Sequence, residues 1–454
     1  MRELKLRGRV GEGEGPPKDS TRNAAQPGTL PITTPPPLPG AGLLRKRLPQ
    51  EGPLRKRLPQ KAFHRLHRTA HQIDTATPPH RDRSLDALRA FAILGIVLGH
   101  WLVTALVADG GALRTSSPLA YMPWLAPVSW VFQTLAVFFL VGGHVVTKSY
   151  KSARARGITY GRWLRTRLSR LFGPVAAVLG LWTVAAVCLL VTGTGVPTVH
   201  ALLKLVLSPL WFLLVFAALT ALTPLVARVN PLWPLAVVLH VDLIRFGFGG
   251  PAWLGWINVA AGWLVPYTLG AAWMRGELTR RAGWVLLIGG AATTAGLVAW
   301  AGYPASMVGV PGSAVSNLNP PTLAAVTFGL AQCGLALLLR EPLRRAMRRP
   351  VAWAAVAFVN LSAMTIFLWH QTALMSVTAT GLFAGRLPGL HTTPDSLAWV
   401  LARFAWLPVF ALALLVCWAA FRSYEQGRRR RGGRLSRVVH VQRGRAGAKG
   451  VRRA

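Results

Sequence analysis

Two ionisable residues, Arg89 and His100, stand eleven positions apart in the apolar stretch RSLDALRAFAILGIVLGH (83–100). At about 100° per residue, eleven steps come to roughly three turns plus 20°, so both fall on one helix face, about 16 Å apart along the axis. Asp86 precedes Arg89 by three residues and falls near the same face, where a carboxylate can pair with a guanidinium. A guanidinium fork suits phosphate or carboxylate oxygens. An imidazole that titrates near neutrality can take a proton from a hydroxyl. Ionisable groups inside a lipid-bound helix are costly and usually face a polar cavity or pathway. The aligned pair therefore predicts a site. The competing reading is an arginine that snorkels to headgroups and a packed histidine.

Other candidates are sparser. Asp242 and Arg245 lie three apart in VVLHVDLIRFGF, a spacing that fits either a structural neutralised pair or a substrate-facing one. Asn360 and His370 share the segment NLSAMTIFLWHQTAL (360–374). His370 is open between a second proton carrier and a packing residue. Lys204, Arg403 and Tyr267 stand alone and receive no role. Cys188, Cys333 and Cys417 sit inside apolar runs without metal-ligand or disulfide spacing, so they read as small hydrophobes and no metal is expected.

The elements that must position these residues are membrane helices. The chain of 454 residues is 52% hydrophobic and only 15% charged, against about a quarter charged in an average soluble domain. Its apolar residues gather into about ten runs long enough to span a bilayer: roughly 87–107, 125–147, 171–192, 206–227, 232–249, 254–273, 284–303, 321–339, 355–381 and 397–420. The loops after the second, sixth and eighth runs are rich in Lys and Arg. Those after the first, third, seventh and ninth hold almost none beyond Arg114 and Arg386. Strict alternation places both termini and the basic loops in the cytoplasm. The net charge of +38 thus belongs to loops and ends, and nucleic acid is not expected as a partner. The expected fold is an all-α integral membrane bundle of about ten helices over residues 83–421. It is flanked by a disordered Pro/Gly-rich basic extension (1–82), in which LRKRLPQ occurs twice, and a disordered basic cytoplasmic tail (422–454).

Five segments, in order, carry a resemblance. Arg89, ten residues and His100 match an R-X10-H motif, and LDALRAFAILGIVLGH resembles a first span built around it. VFFLVGGHV (137–145) is similar to an FFxxSGF signature, with Gly142 where Ser is usual and His144 where Phe is usual. RTRLSRLFGP (165–174) is similar to a basic RxxR loop, with Arg167 and Arg170 as its pair. SPLWFLLVFAALTALTPL (208–225) resembles a Pro-Leu-Trp-Phe span, and residues 360–374 resemble a late span ending in Trp-His. The family they resemble is the acyltransferase family 3 membrane proteins, over roughly residues 83 to 420.

That resemblance implies transfer of an acyl group, often acetyl, from acyl-CoA to a hydroxyl of a carbohydrate, glycolipid or macrolide-type acceptor. It casts His100 as general base, with Arg89, Arg167 and Arg170 holding the CoA phosphates, and His370 or Asn360 as helpers near the reacting carbonyl. Asp86, Asp242 and Arg245 are expected on the acceptor side. Gly142 and Gly143 are expected to let helix backbones approach closely, and His144 to be interfacial. No hydrolase-like domain follows the last run, so the chain is expected to act alone or with a separate partner protein. The basic, Ala/Gly/Arg-rich composition suggests the cytoplasmic membrane of a bacterium. Two rivals stand beside this reading. One is a proton-coupled secondary transporter, against which the two halves show no repeat. The other is a non-catalytic membrane partner in envelope polymer export.

Overall fold

The computed structural model describes residues 54–422; residues 1–53 and 423–454, which hold most of the expected extension and the tail, lie outside the described residues. By contacts the chain divides into residues 1–58 and 59–454, and all that follows concerns the second unit except the first residues of α1. The part of the extension that is described corrects the expectation of disorder: Leu54–Thr75 is a helix, α1. From Gln60 to Thr77 the sequence holds no proline or glycine and is rich in helix formers. The end of α1 is also tied down, by an Arg83–Asp74 ion pair of 2.5 Å and by Ile73, which packs against the cluster around Met347 and Trp353.

Helix α2 (Arg83–Val103) carries the R-X10-H residues. Asp82 caps its N-terminus, accepting from the backbone N–H of Ser84 (3.1 Å) and Leu85 (3.4 Å). The helix stops at Thr104, where the chain becomes extended and enters a hairpin of β1 (Ala105–Asp109) and β2 (Ala112–Ser116). Gly110 and Gly111 both take positive φ, 54° and 78°; two such central residues make the turn that matches the twist of a hairpin. The apolar pattern did not announce this hairpin, which interrupts the end of the first expected span.

The remaining long helices are α3 (Leu135–Ala155), α4 (Tyr160–Val191), α5 (Val196–Leu207), α6 (Leu210–Ala221), α7 (Leu232–Asp242), α8 (Ile257–Arg275), α9 (Arg280–Trp300), α10 (Leu323–Leu338), α11 (Arg340–Ala346), α12 (Pro350–Leu361) and α13 (Ala363–Gly381). A last helix, α14, runs over Leu397–Arg422. Six helical segments are long and apolar enough to cross a membrane, and eight if two bent pairs each count as one span. These pairs are α10 with α11, bent by 48°, and Pro350–Leu361 with Ala363–Ala384, bent by 72°. The protein is therefore an all-α membrane protein in class, but the ten-span count is not reproduced. The fifth expected span contains α7, only 11 residues before a π-turn, or about 16 Å against a hydrocarbon core of about 30 Å. The sixth contains α8, which is buried along most of its length among other helices.

Helices α3 and α8 meet at two glycines. A Cβ on Gly143 would lie 2.0 Å from the Tyr267 carbonyl oxygen, and one on Gly270 would lie 2.0 Å from that of Leu140. Only bare backbone allows this approach, the small-residue packing expected of membrane helices. Gly142 beside it faces Phe216, whose ring would be 2.4 Å from any Cβ there. Where the resembled signature has a serine, this chain has filled the space with a phenyl ring.

Candidate functional site

Helix α2 is gripped at both ends by the bent segment α12–α13. At the start of α2, Asn360 Nδ2 donates to the carbonyl of Asp86 (2.7 Å). At its end, the indole N–H of Trp101 donates to the carbonyl of His370 (3.0 Å). The break between the two halves lets one segment follow α2 past both points. This brings His100 and His370 together, with ring centroids 5.1 Å apart and the planes tilted by 44°.

The hydrogen bonds around this pair set the protons. His370 Nδ1 lies 2.5 Å from the Phe367 carbonyl oxygen. A carbonyl can only accept, so Nδ1 carries the hydrogen and Nε2 keeps a free lone pair. That Nε2 is buried and has no hydrogen-bond partner. His100 Nδ1 lies 3.1 Å from Gln371 Nε2. With the carboxamide so oriented, an assignment made from the network, Nδ1 accepts and the His100 hydrogen sits on Nε2. Gln371 Oε1 is likewise buried without a partner. Buried polar atoms are normally satisfied, and here two bare ones gather beside two imidazoles.

A chain of ring contacts runs from this pair across the bundle. His370 touches Phe367 (5.7 Å), Phe367 touches Phe212 (4.8 Å), and Phe212 touches Phe138 (5.4 Å). Phe138 touches Phe216 (5.3 Å), which touches Tyr267 (6.4 Å). Tyr267 shares a hydrogen bond of 2.7 Å with Thr223 and lies within electrostatic reach of Arg167. Arg167 in turn stands within reach of both Arg170 and Arg89. The charges of all three arginines picked out by motif are thus felt at Arg167. Arg167 and Arg170 lie not in a loop but near the start of α4, three residues apart and so on neighbouring positions of one face.

Other expected site residues lie elsewhere. Asp86 is held by Arg81 in a two-point pair, Nε to Oδ2 at 2.6 Å and Nη2 to Oδ1 at 3.1 Å. Asp242 is a junction: it accepts from Asn258 Nδ2 (2.9 Å), the Tyr303 hydroxyl (3.0 Å) and the Leu323 N–H (2.6 Å), with Arg245 at 3.9 Å. This joins α7, α8, α10 and the segment that follows α9. Asn360 Oδ1 is buried without a partner, but at the α2 start and not beside His100. His144 stands edge-on to Trp273 at 4.9 Å.

The sequence pattern marks neither Gln371 nor Trp101, and it marks Arg403 only as a lone residue without a role. For Gln371 and Arg403 a signal existed: each is a strongly polar side chain inside an apolar run, a costly placement that asks for a reason. Trp101 gave none, since a tryptophan in an apolar helix is ordinary.

The family model for an acyltransferase domain, acyltransferase family 3, matches residues 82–422. No curated protein and no solved structure shows a significant match to the chain.

Proposed function

The chain belongs to acyltransferase family 3, and from that premise we propose that it moves an acyl group from acyl-CoA to a hydroxyl at the His100–His370 pair. The observation that carries the reading is the bare, buried Nε2 of His370 beside His100. His370 Nε2 takes the proton of the acceptor hydroxyl as its oxygen attacks the thioester carbonyl carbon. His100 Nε2–H donates to the carbonyl oxygen as it becomes an oxyanion. The carbon–sulfur bond then breaks, the ester is released, and the CoA sulfur takes the proton back from His370. This exchanges the roles expected from the sequence, where His100 was the base, and it keeps both imidazoles essential.

The donor's phosphates are assigned to Arg89, Arg167 and Arg170, since guanidinium forks fit phosphate oxygens. The pantetheine arm follows the aromatic wall from Tyr267 to Phe367 and presents its thioester to the histidines. An acetyl group and a carbohydrate, glycolipid or macrolide-type acceptor are the substrates we assign by family. The same reading places the protein in a bacterial cytoplasmic membrane with both described ends on the cytoplasmic side, where the basic segments around residues 148–170, 275–281 and 340–349 gather.

The test is acetyl-CoA binding and turnover by purified protein in liposomes. Wild type is expected to bind and to release CoA, faster with a suitable acceptor. The Arg167→Ala/Arg170→Ala variant is expected to fail at binding. If wild type neither binds nor hydrolyses acetyl-CoA, the donor assignment falls and proton-coupled transport becomes the reading to test.

A further inference from the structure

Arg403 is 1% exposed, as deeply buried as Asp242, and sits on the apolar helix α14. Among the described residues no carboxylate pairs with it. Its Nε donates to the Trp101 carbonyl (2.6 Å), its Nη1 to the Gly389 carbonyl (2.8 Å), and its Nη2 to the Thr104 carbonyl. Its guanidinium lies over the rings of Phe410 (4.7 Å) and Trp399 (5.4 Å). Two of those three carbonyls belong to the last turn and cap of α2, where a helix leaves its carbonyls without internal partners and its dipole favours a cation. Arg403 therefore caps α2 from 302 residues away. A lysine could reach one of these carbonyls but not span three, because its ammonium is a point donor and not a fork.

The consequence reaches both histidines. Trp101 directly follows His100, so gripping its carbonyl fixes the backbone that carries His100. The same Trp101 donates its indole N–H to the His370 carbonyl. The third carbonyl, at Gly389, belongs to the segment that also meets β1, where the Ala108 N–H donates to His391 O (3.0 Å). One guanidinium thus ties the end of α2, the loop at Gly389 and, through one indole, the bent helix. Resting on the reading of the His100–His370 pair given above, we propose that Arg403 is the positioning residue of that pair, setting the imidazole separation from outside the reacting groups.

The experiment compares wild type, Arg403→Lys and Arg403→Ala in nanodiscs. It measures acetyl-CoA binding, kcat and KM, thermal melting, and the rate at which diethylpyrocarbonate modifies each histidine, read by mass spectrometry. Arg403→Lys is expected to fold and to bind acetyl-CoA within about twofold of wild type while kcat falls by about 100-fold, the scale of a small misplacement of reacting groups. Added methylguanidinium is expected to restore part of the kcat of Arg403→Ala, by filling the vacated site. Modification of His100 and His370 is expected to quicken in both variants, with that of exposed His71 unchanged. The proposal is overturned if folded Arg403→Lys keeps wild-type kcat, or if both histidines keep their wild-type modification rates. The labelling arm needs no acyl-CoA, so it decides on Arg403 even where wild type proves inactive with that donor and the functional reading itself fails.

Discussion

Two of the places where this bundle buries ionisable groups differ in how completely those groups are served. At Asp242 the carboxylate meets three hydrogen-bond donors and a nearby guanidinium. At the His100–His370 pair, one imidazole nitrogen and one amide oxygen are buried with no partner. An unserved buried polar atom costs about 1–3 kcal/mol, a cost kept where a ligand is to complete the set. The Asp242 carboxylate already has its partners among the protein's own helices, and the bare atoms beside it, Asn258 Oδ1 and Arg245 Nε and Nη1, belong to those partners and not to the carboxylate. On the function proposed above, Asp242 is the joint and the histidine pair the site.

The strongest way to break this comparison is to remove the imidazoles. His370→Ala and His100→Ala are each expected to lower acyl transfer by about 10²–10⁴-fold, the usual worth of a positioned proton-transfer group, with melting temperature and acetyl-CoA binding near wild type. Kinetics and binding on the same preparations check this. Wild-type turnover in His370→Ala would return the base to His100 alone.

Removing the joint should do the reverse. Asp242→Ala leaves Arg245 uncompensated and strands the Asn258, Tyr303 and Leu323 donors, a loss of about 3–5 kcal/mol when a buried pair is broken. Asp242→Asn, which keeps the shape and an accepting oxygen, should lose less. Thermal melts in detergent rank the three proteins, and turnover per folded molecule should stay near wild type in both variants. Lost turnover in a folded Asp242→Asn would move this residue into the site.

The pattern of residues made the first half of this comparison legible and hid the second. Arg89, His100 and His370 could be found because each is a costly residue in an apolar run, and all three, with Arg167 and Arg170 of the basic stretch, fall in recognisable motifs. The meeting of His100 and His370 could not be read, because it depends on a 72° bend between α12 and α13 at Leu361–Ser362, positions with no proline or glycine to announce it. Asp242 looked like half of a local i,i+3 pair. Its main partners come from 16 to 81 residues away, beyond what local spacing encodes. The span count failed for a related reason. Apolar runs report burial, and α8 is buried by its neighbours, so its hydropathy cannot say whether lipid or protein surrounds it.

A gentler test acts on the tautomer and leaves both imidazoles in place. Gln371→Leu removes the group that faces His100 Nδ1 and is close to isosteric. It is expected to lower kcat by about tenfold, equivalent to about 1.4 kcal/mol, with little change in KM. Gln371→Glu supplies only acceptor oxygens, favours Nδ1–H on His100, and so turns its Nε2 from donor to acceptor. If His100 acts as a donor, Gln371→Glu should be slower than Gln371→Leu; if His100 is the base, the order should invert. Steady-state rates of the two variants decide between the two assignments.

The smallest effect is expected at the opposite end of α2. Asp82 caps that end with the acceptor oxygens that the first N–H groups need, and it pairs with Arg340 at 3.2 Å. Anion at the N-terminus and the Arg403 cation at the C-terminus both align with the helix dipole. Burial alone would raise the Asp82 pKa. The Ser84 hydroxyl at 2.5 Å, Arg340 and the Leu85 N–H outweigh it, so the pKa lies below the usual carboxylate value. The sign follows from that depression. The unfolded chain binds the proton more tightly, so the charge stabilises the fold above about pH 4 and this contribution fades as pH falls through the folded pKa. Asp82→Ala should cost about 1 kcal/mol near neutrality. Asp82→Asn keeps an accepting oxygen, so its deficit should be smaller, and it should shrink in melts taken as pH falls through the folded pKa of Asp82. Turnover should hardly change in either variant, since Asp82 lies some 18 residues, or about 27 Å of helix, from His100. A large loss of turnover in Asp82→Asn would mean that the two ends of α2 act as one unit, and that the site extends along the whole helix rather than resting at its end.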